Sequence, residues 1–211
     1  MKIAKWLATT LVGAALAGTA QAGLIDRGGG MIYDTTLDIT WLADWNYAST
    51  SGFDADGAMN WTTANSWANN LVYGGFSDWR LPSSLNANGS GPCGPAFNCT
   101  GSEMGHMFYV NWGATANNSF STGTNAANLA LFSNVVSFIY WSGTEYAPNQ
   151  SEAWFFNVTQ GAQANLTKIG GLFAVAVRPG DVTASVPEPQ SLALVLLGLG
   201  AGMVARRRRP R

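Results

Sequence analysis

The sequence predicts an α+β fold held between two hydrophobic ends, and three observations predict it. Short β-prone runs separated by turn residues open the middle of the chain, two stretches of helical period follow, and the last third returns to aromatic-rich β-prone runs at hairpin spacing. Two main helices mixed with antiparallel hairpins, without an internal repeat of roughly 20–50 residues, point to one α+β unit. Residues 23–183 are long enough to close a single core.

Met31–Tyr33 and Leu37–Leu42 are β-prone and flank the turn-like Asp34-Thr35-Thr36, which reads as a hairpin. Ala64, Trp67, Ala68 and Leu71 recur at helical spacing, with Thr62 and Thr63 available to cap the start and Gly74-Gly75 to stop the helix. Asp78-Trp79-Arg80-Leu81-Pro82 ends in a proline and reads as a strand end or loop. A second helix is predicted over Ser102–Asn111, opened by Thr100 and Glu103 at capping-box spacing, with Met104, Met107 and Phe108 on its apolar face. Strands are then predicted at Phe138–Trp141 and Ala153–Val158, followed by a turn at Thr159–Gly161 and a strand at Phe173–Val177.

The two ends read as addresses. Lys2 and Lys5, an apolar run from Trp6 to Ala17, and Ala20-Gln21-Ala22 form a signal peptide over residues 1–22, with cleavage between Ala22 and Gly23. Its apolar run is shorter than the roughly 20 residues of a spanning helix. Residues 184–211 form the second address. Val186-Pro187-Glu188-Pro189 should be extended, because proline fixes φ and disfavours helix in the residue before it. Leu192–Ala205 follows as a hydrophobic sorting helix able to enter the inner membrane, and Arg206, Arg207, Arg208 and Arg209 hold its end on the cytoplasmic side.

Composition narrows the partners. Charged residues make up only 11% of the chain, and aromatics 12%, which excludes a disordered charged tail. The middle of the chain holds Arg27, Arg80, Lys168 and Arg178 against eleven carboxylates, a net charge of −7. Nucleic acid is therefore excluded as a partner.

Candidate chemistry is sparse. His106 is the only histidine and has no nucleophile motif beside it, so a structural role is expected and no catalytic residue is assigned. Cys93 and Cys99 read as a local disulfide in an exported chain, since the other ligands of a two-thiolate metal site are missing. Asp54-Ala55-Asp56-Gly57 has the alternating oxygens of a calcium loop without the remaining ligands, so no cofactor is expected. Arg80 and Arg178 read as fold-holding bridges, with Asp78, Glu145 or Asp181 as partners. Trp112, Tyr140, Trp141 and Tyr146 lie at element ends and are the candidates for stacking on a sugar ring, set against the core role usual for such residues.

Two resemblances add to this reading. Val186-Pro187-Glu188-Pro189, the Leu192–Ala205 run and the arginine cluster resemble the PEP-CTERM sorting signal of exported bacterial proteins. The resemblance implies export by the Sec machinery, transient anchoring in the inner membrane, recognition by an exosortase, and delivery to the cell surface or extracellular matrix, with extracellular polysaccharide as a candidate partner. The body, through Met31-Ile32-Tyr33-Asp34, Leu37–Leu42, Met59-Asn60-Trp61, Phe76–Pro82, Tyr140–Glu145, Ala153–Phe156 and Ala176–Asp181, is similar to the family named for the C-terminal domain of the Legionella collagen-like protein. That similarity implies a C-type-lectin-like fold and surface adhesion or glycan contact for some members. The Glu-Pro-Asn triplet of many C-type lectins is absent, the nearest string being Ala147-Pro148-Asn149. The sequence thus predicts an exported non-enzymatic protein, with a lectin-like carbohydrate-binding module, calcium-dependent or not, as the alternative.

Overall fold

The computed structural model describes residues 23–182. The predicted signal peptide up to Ala22 and the whole sorting segment, from Val186 through Pro189, the Leu192–Ala205 run and Arg206–Arg209, lie outside the described residues. The described part is mixed α+β with two antiparallel sheets. The first has the order β1-β2-β3-β7, built from β1 (Leu24–Asp26), β2 (Met31–Asp34), β3 (Ile39–Leu42) and β7 (Val177–Pro179). The second is a meander of β4 (Ile139–Glu145), β5 (Glu152–Asn157) and β6 (Ala162–Thr167). Four short α-helices and a 3-10 turn over Phe120–Thr122 complete it: α1 (Tyr47–Thr50), α2 (Trp61–Asn69), α3 (Glu103–His106), which runs on as a π-helical turn over Met107–Asn111, and α4 (Ala126–Leu129). Among the described residues no helix is long and apolar enough to cross a membrane.

The predicted first hairpin forms, and Asp34 explains its turn. Asp34 Oδ1 accepts hydrogen bonds from the backbone N–H groups of Thr36 (2.9 Å) and Leu37 (3.1 Å), an Asx-type turn that reverses the chain so that Asp34 pairs with Ile39 and Met31 with Leu42. Its carboxylate is fully buried, and Oδ2 accepts from Asn111 Nδ2 at 2.7 Å.

Both predicted helices form, with different caps. Asn60, rather than Thr62 or Thr63, caps α2, accepting from the Thr63 N–H at 2.9 Å. α2 ends at Asn69, short of Leu71 and of Gly74-Gly75. Ser102, not Thr100, caps α3, accepting from the Gly105 N–H at 3.2 Å. Glu103 is thereby released from a capping box and bonds elsewhere. Gly105 is required by close approach, since a Cβ there would lie 1.9 Å from the Cys99 carbonyl oxygen.

The last third departs from expectation in two respects. β6 is a strand that the polar run Ala162-Gln163-Ala164-Asn165-Leu166-Thr167 does not announce, whereas Phe173–Val177 is not a regular strand up to its last residue. That segment instead threads between the two sheets. Phe173 bonds to Ile139 and Trp141, and Ala176 accepts from the Leu42 N–H at 3.0 Å. The turn before β6 places Gly161 at φ 80°, with the Tyr109 hydroxyl 2.4 Å from where a Cβ would stand.

The threading creates two apolar layers, because successive residues of an extended chain point to opposite sides. Trp41, Tyr140, Val175 and Val177 face one layer with Trp45, Phe108, Trp112, Phe132 and Phe156. Leu42, Trp141, Ala174 and Ala176 face the other with Ala64, Trp67, Ala68 and Trp79.

Candidate functional site

A cleft of about 670 Å³, within the range that accommodates small-molecule ligands, opens beside the start of α3. Its lining includes Asn65 of α2, Arg80, Asn86, Glu103 at the start of α3, and Gly143 and Thr144 of β4. Arg80 is fixed by its own backbone, which exchanges two hydrogen bonds with Val177 at 2.8 and 2.9 Å. Its guanidinium donates to both oxygens of Glu103, Nη1 to Oε2 at 2.8 Å and Nη2 to Oε1 at 2.7 Å, and Nη1 also donates to the Leu81 carbonyl at 3.1 Å. Glu103 Oε2 accepts in addition from the Ser83 N–H at 2.7 Å, so the pair ties the loop after Pro82 to the start of α3. Burial disfavours the charge on Arg80, but the hydrogen bonds and charge of Glu103 outweigh it and hold the guanidinium above its ordinary value. The pair satisfies three of the five guanidinium protons when the Leu81 bond is included. The Nε proton and the second Nη2 proton have no acceptor among the described residues.

One wall of the cleft is the insertion between Pro82 and Ser102. The predicted disulfide between Cys93 and Cys99 is present in it. The insertion is pinned by paired backbone bonds between Ala96 and Gln163, both 2.9 Å, and by the Tyr109 hydroxyl, which accepts from the Asn98 N–H at 3.0 Å and donates to the Gly161 carbonyl at 2.7 Å.

Both predicted bridging arginines are paired, with partners that spacing alone did not fix. Arg80 takes Glu103, outside the predicted set, and Arg178 takes Asp78 through Nε–Oδ1 at 2.8 Å and Nη2–Oδ2 at 3.0 Å. The hydrogen bond from Arg178 holds the Asp78 carboxyl below its usual value. Asp181 pairs with Arg27, and Glu145 with Lys168, which also sits 4.3 Å over the Trp61 ring. Each of the four bases among the described residues therefore has a carboxylate partner.

Three of the four predicted sugar platforms are corrected. Trp112, Tyr140 and Trp141 are 0% exposed and present no face to a ligand. Trp141 Nε1 donates to the Met59 carbonyl at 2.8 Å, and the Tyr140 hydroxyl accepts from the Val136 N–H at 2.6 Å while burial raises its pKa. Tyr146 is half-buried, edge-on to Trp154. None of the four lines the cleft. The cleft residue Asn65 is invisible to sequence reasoning, since nothing in its spacing distinguishes it from a solvent-facing helix residue.

His106 is buried, and burial lowers its pKa while the charge of Asp34 opposes that shift. Its Nε2 has no partner among the described residues. In the Asp54–Gly57 loop, Asp54 Oδ1 accepts from the N–H groups of Gly57 (2.8 Å) and Asp56 (3.1 Å), which lowers its pKa. Among the described residues no three carboxylate, cysteine or histidine groups cluster as a metal site. Gly23, at the predicted mature start, is already held by the fold, its N–H donating to Thr35 Oγ1 at 2.7 Å.

Comparison with known proteins places a PEP-CTERM protein-sorting motif at residues 185–209. No curated protein matches the chain, and the similarity of the body to the Legionella family has no homologue behind it. A motif of this kind marks a chain for export, transient membrane anchoring and recognition by an exosortase.

Proposed function

We propose that the protein is a non-enzymatic exported protein, handed by the Sec machinery to the inner membrane, processed by an exosortase and retained at the cell surface or in a polysaccharide-rich extracellular matrix. The observation that carries this reading is the sorting motif at residues 185–209. The Cys93–Cys99 disulfide agrees with an oxidising destination. Enclosure of the single histidine, His106, supports a role without acid–base catalysis. The test is to replace Pro187, Glu188 and Pro189 by alanine in an exosortase-positive host. The variant should accumulate unprocessed in the membrane fraction, and a mass and distribution identical to the parent would defeat the reading.

A second reading, a carbohydrate-binding module of C-type-lectin-like fold, is favoured by one observation. The cleft combines the two unengaged donors of Arg80 with the Asn65 amide, a hydrogen-bonding set suited to hydroxyl groups. Polyanions are disfavoured because Glu103 neutralises Arg80 and the body carries −7. The mature protein should bind neutral glycans on an array, with or without calcium, and lose that signal in Asn65→Leu. A blank array, or a signal that Asn65→Leu leaves intact, would remove this reading.

A further inference from the structure

The folded body and the sorting motif are almost contiguous. Val182 is 3% exposed and belongs to the core, while the motif begins at residue 185. The residues just before Val182 are tightly held. Arg27 grips Asp181 in a two-pronged bridge, Nε–Oδ1 at 2.9 Å and Nη2–Oδ2 at 2.5 Å. Arg178 Nη1 donates to the Asp181 carbonyl at 3.3 Å, the Gly180 N–H donates to the Asp38 carbonyl at 2.8 Å, and Thr40 Oγ1 donates to the Gly180 carbonyl at 2.8 Å. From Val182 to Pro187 the chain advances five residues, a reach of at most about 18 Å even when fully extended.

A peptidase reads its substrate as extended backbone on both sides of the bond it cuts. A reach of about 18 Å is comparable to the radius of a small folded domain, so the body itself stands in the way of an enzyme gripping the chain just upstream of Pro-Glu-Pro. Resting on the sorting reading above, we infer that the Arg27–Asp181 clamp governs proteolytic processing: the peptidase acts on the fraction of molecules in which Gly180–Val182 has come off the body. Processing breaks one backbone C–N bond downstream of Val182, the peptidase's nucleophile taking the acyl carbon and the leaving nitrogen taking a proton. Where local opening is fast relative to cleavage, the rate follows the population of the opened form. A weaker clamp therefore means faster processing.

The experiment follows the full-length chain by pulse-chase in an exosortase-positive host, with four chains compared: the parent, Arg27→Gln, the parent with six Gly/Ser residues inserted between Val182 and Thr183, and the insertion combined with Arg27→Gln. The clamp predicts that Arg27→Gln shortens the processing half-time by about fivefold, that the insertion does so at least as much, and that Arg27→Gln adds nothing once the insertion is present. An insertion without effect, or an Arg27→Gln effect of equal size with and without it, overturns the inference, the latter showing general destabilisation. Absence of processing in the parent, or normal processing of a Pro187→Ala, Glu188→Ala chain, is instead the failure of the sorting reading.

Discussion

Each of the two apolar layers buries three tryptophans, and the two treat their indoles differently. In the layer around Trp45, the rings pack on one another: Trp41 stacks on Trp45 with centroids 5.6 Å apart, and Trp45 lies 4.8 Å from Trp112 and 5.2 Å from Tyr140. The indole N–H groups of Trp41, Trp45 and Trp112 are buried without an acceptor among the described residues. In the other layer, six alanines (Ala48, Ala64, Ala68, Ala153, Ala174 and Ala176) let α2 and the threading segment approach closely. There the indoles of Trp61, Trp79 and Trp141 donate to the carbonyls of Ser142, Tyr73 and Met59. One layer is held by ring contact, at the cost of unmade hydrogen bonds, and the other by small residues and directional anchors.

The largest way to break the contrast is Trp45→Ala, which removes the ring shared by four aromatic contacts and should destabilise the body by about 3–5 kcal/mol in denaturant unfolding. Next comes overpacking of the other layer. Ala68→Leu, at a fully buried position, should cost about 1–3 kcal/mol, whereas the same enlargement at an exposed helix position such as Ser66 should cost far less. A sharper comparison pairs Trp141→Phe with Trp45→Phe. Both lose ring volume, but only Trp141→Phe also loses an anchoring hydrogen bond, so it should be the more destabilising by about 1 kcal/mol in matched melts. The smallest effect concerns His106, whose burial depresses its pKa. The unfolded chain then binds the extra proton first, so this contribution to stability is full above about pH 6.5 and is lost as pH falls from there through the folded value. His106→Gln should flatten that part of the acid limb in a series of melting temperatures, and an unchanged slope would contradict the assignment.

Much of this architecture is legible in the sequence where a local rule decides it. The first hairpin follows from Asp34 and its following N–H groups, and α2 follows from the spacing of Ala64, Trp67 and Ala68. The rest depends on what lies across the fold. β6 pairs with β5 although its residues lack alternation, because the tight turn at Thr159–Gly161 delivers it there. Phe173–Val177 looks like a buried strand because it is covered on both sides, yet its backbone bonds are divided between two sheets. The same ambiguity misplaces Trp112, Tyr140 and Trp141: position at an element's end says nothing about which way a ring turns. The ion pairs show the limit most clearly, since Arg80 pairs with Glu103 from across the fold, where the Ser102 cap leaves the Glu103 carboxylate outside a capping box.

The clasping of Arg27, Arg80, Lys168 and Arg178 by carboxylates also shapes what neighbouring copies feel. Seen from a distance each pair cancels, and the uncompensated acids set a field of one sign around the molecule. Between copies that field is a repulsion when the medium is dilute, and it weakens as the screening length contracts from about 30 Å at 0.01 M salt to about 10 Å at 0.1 M.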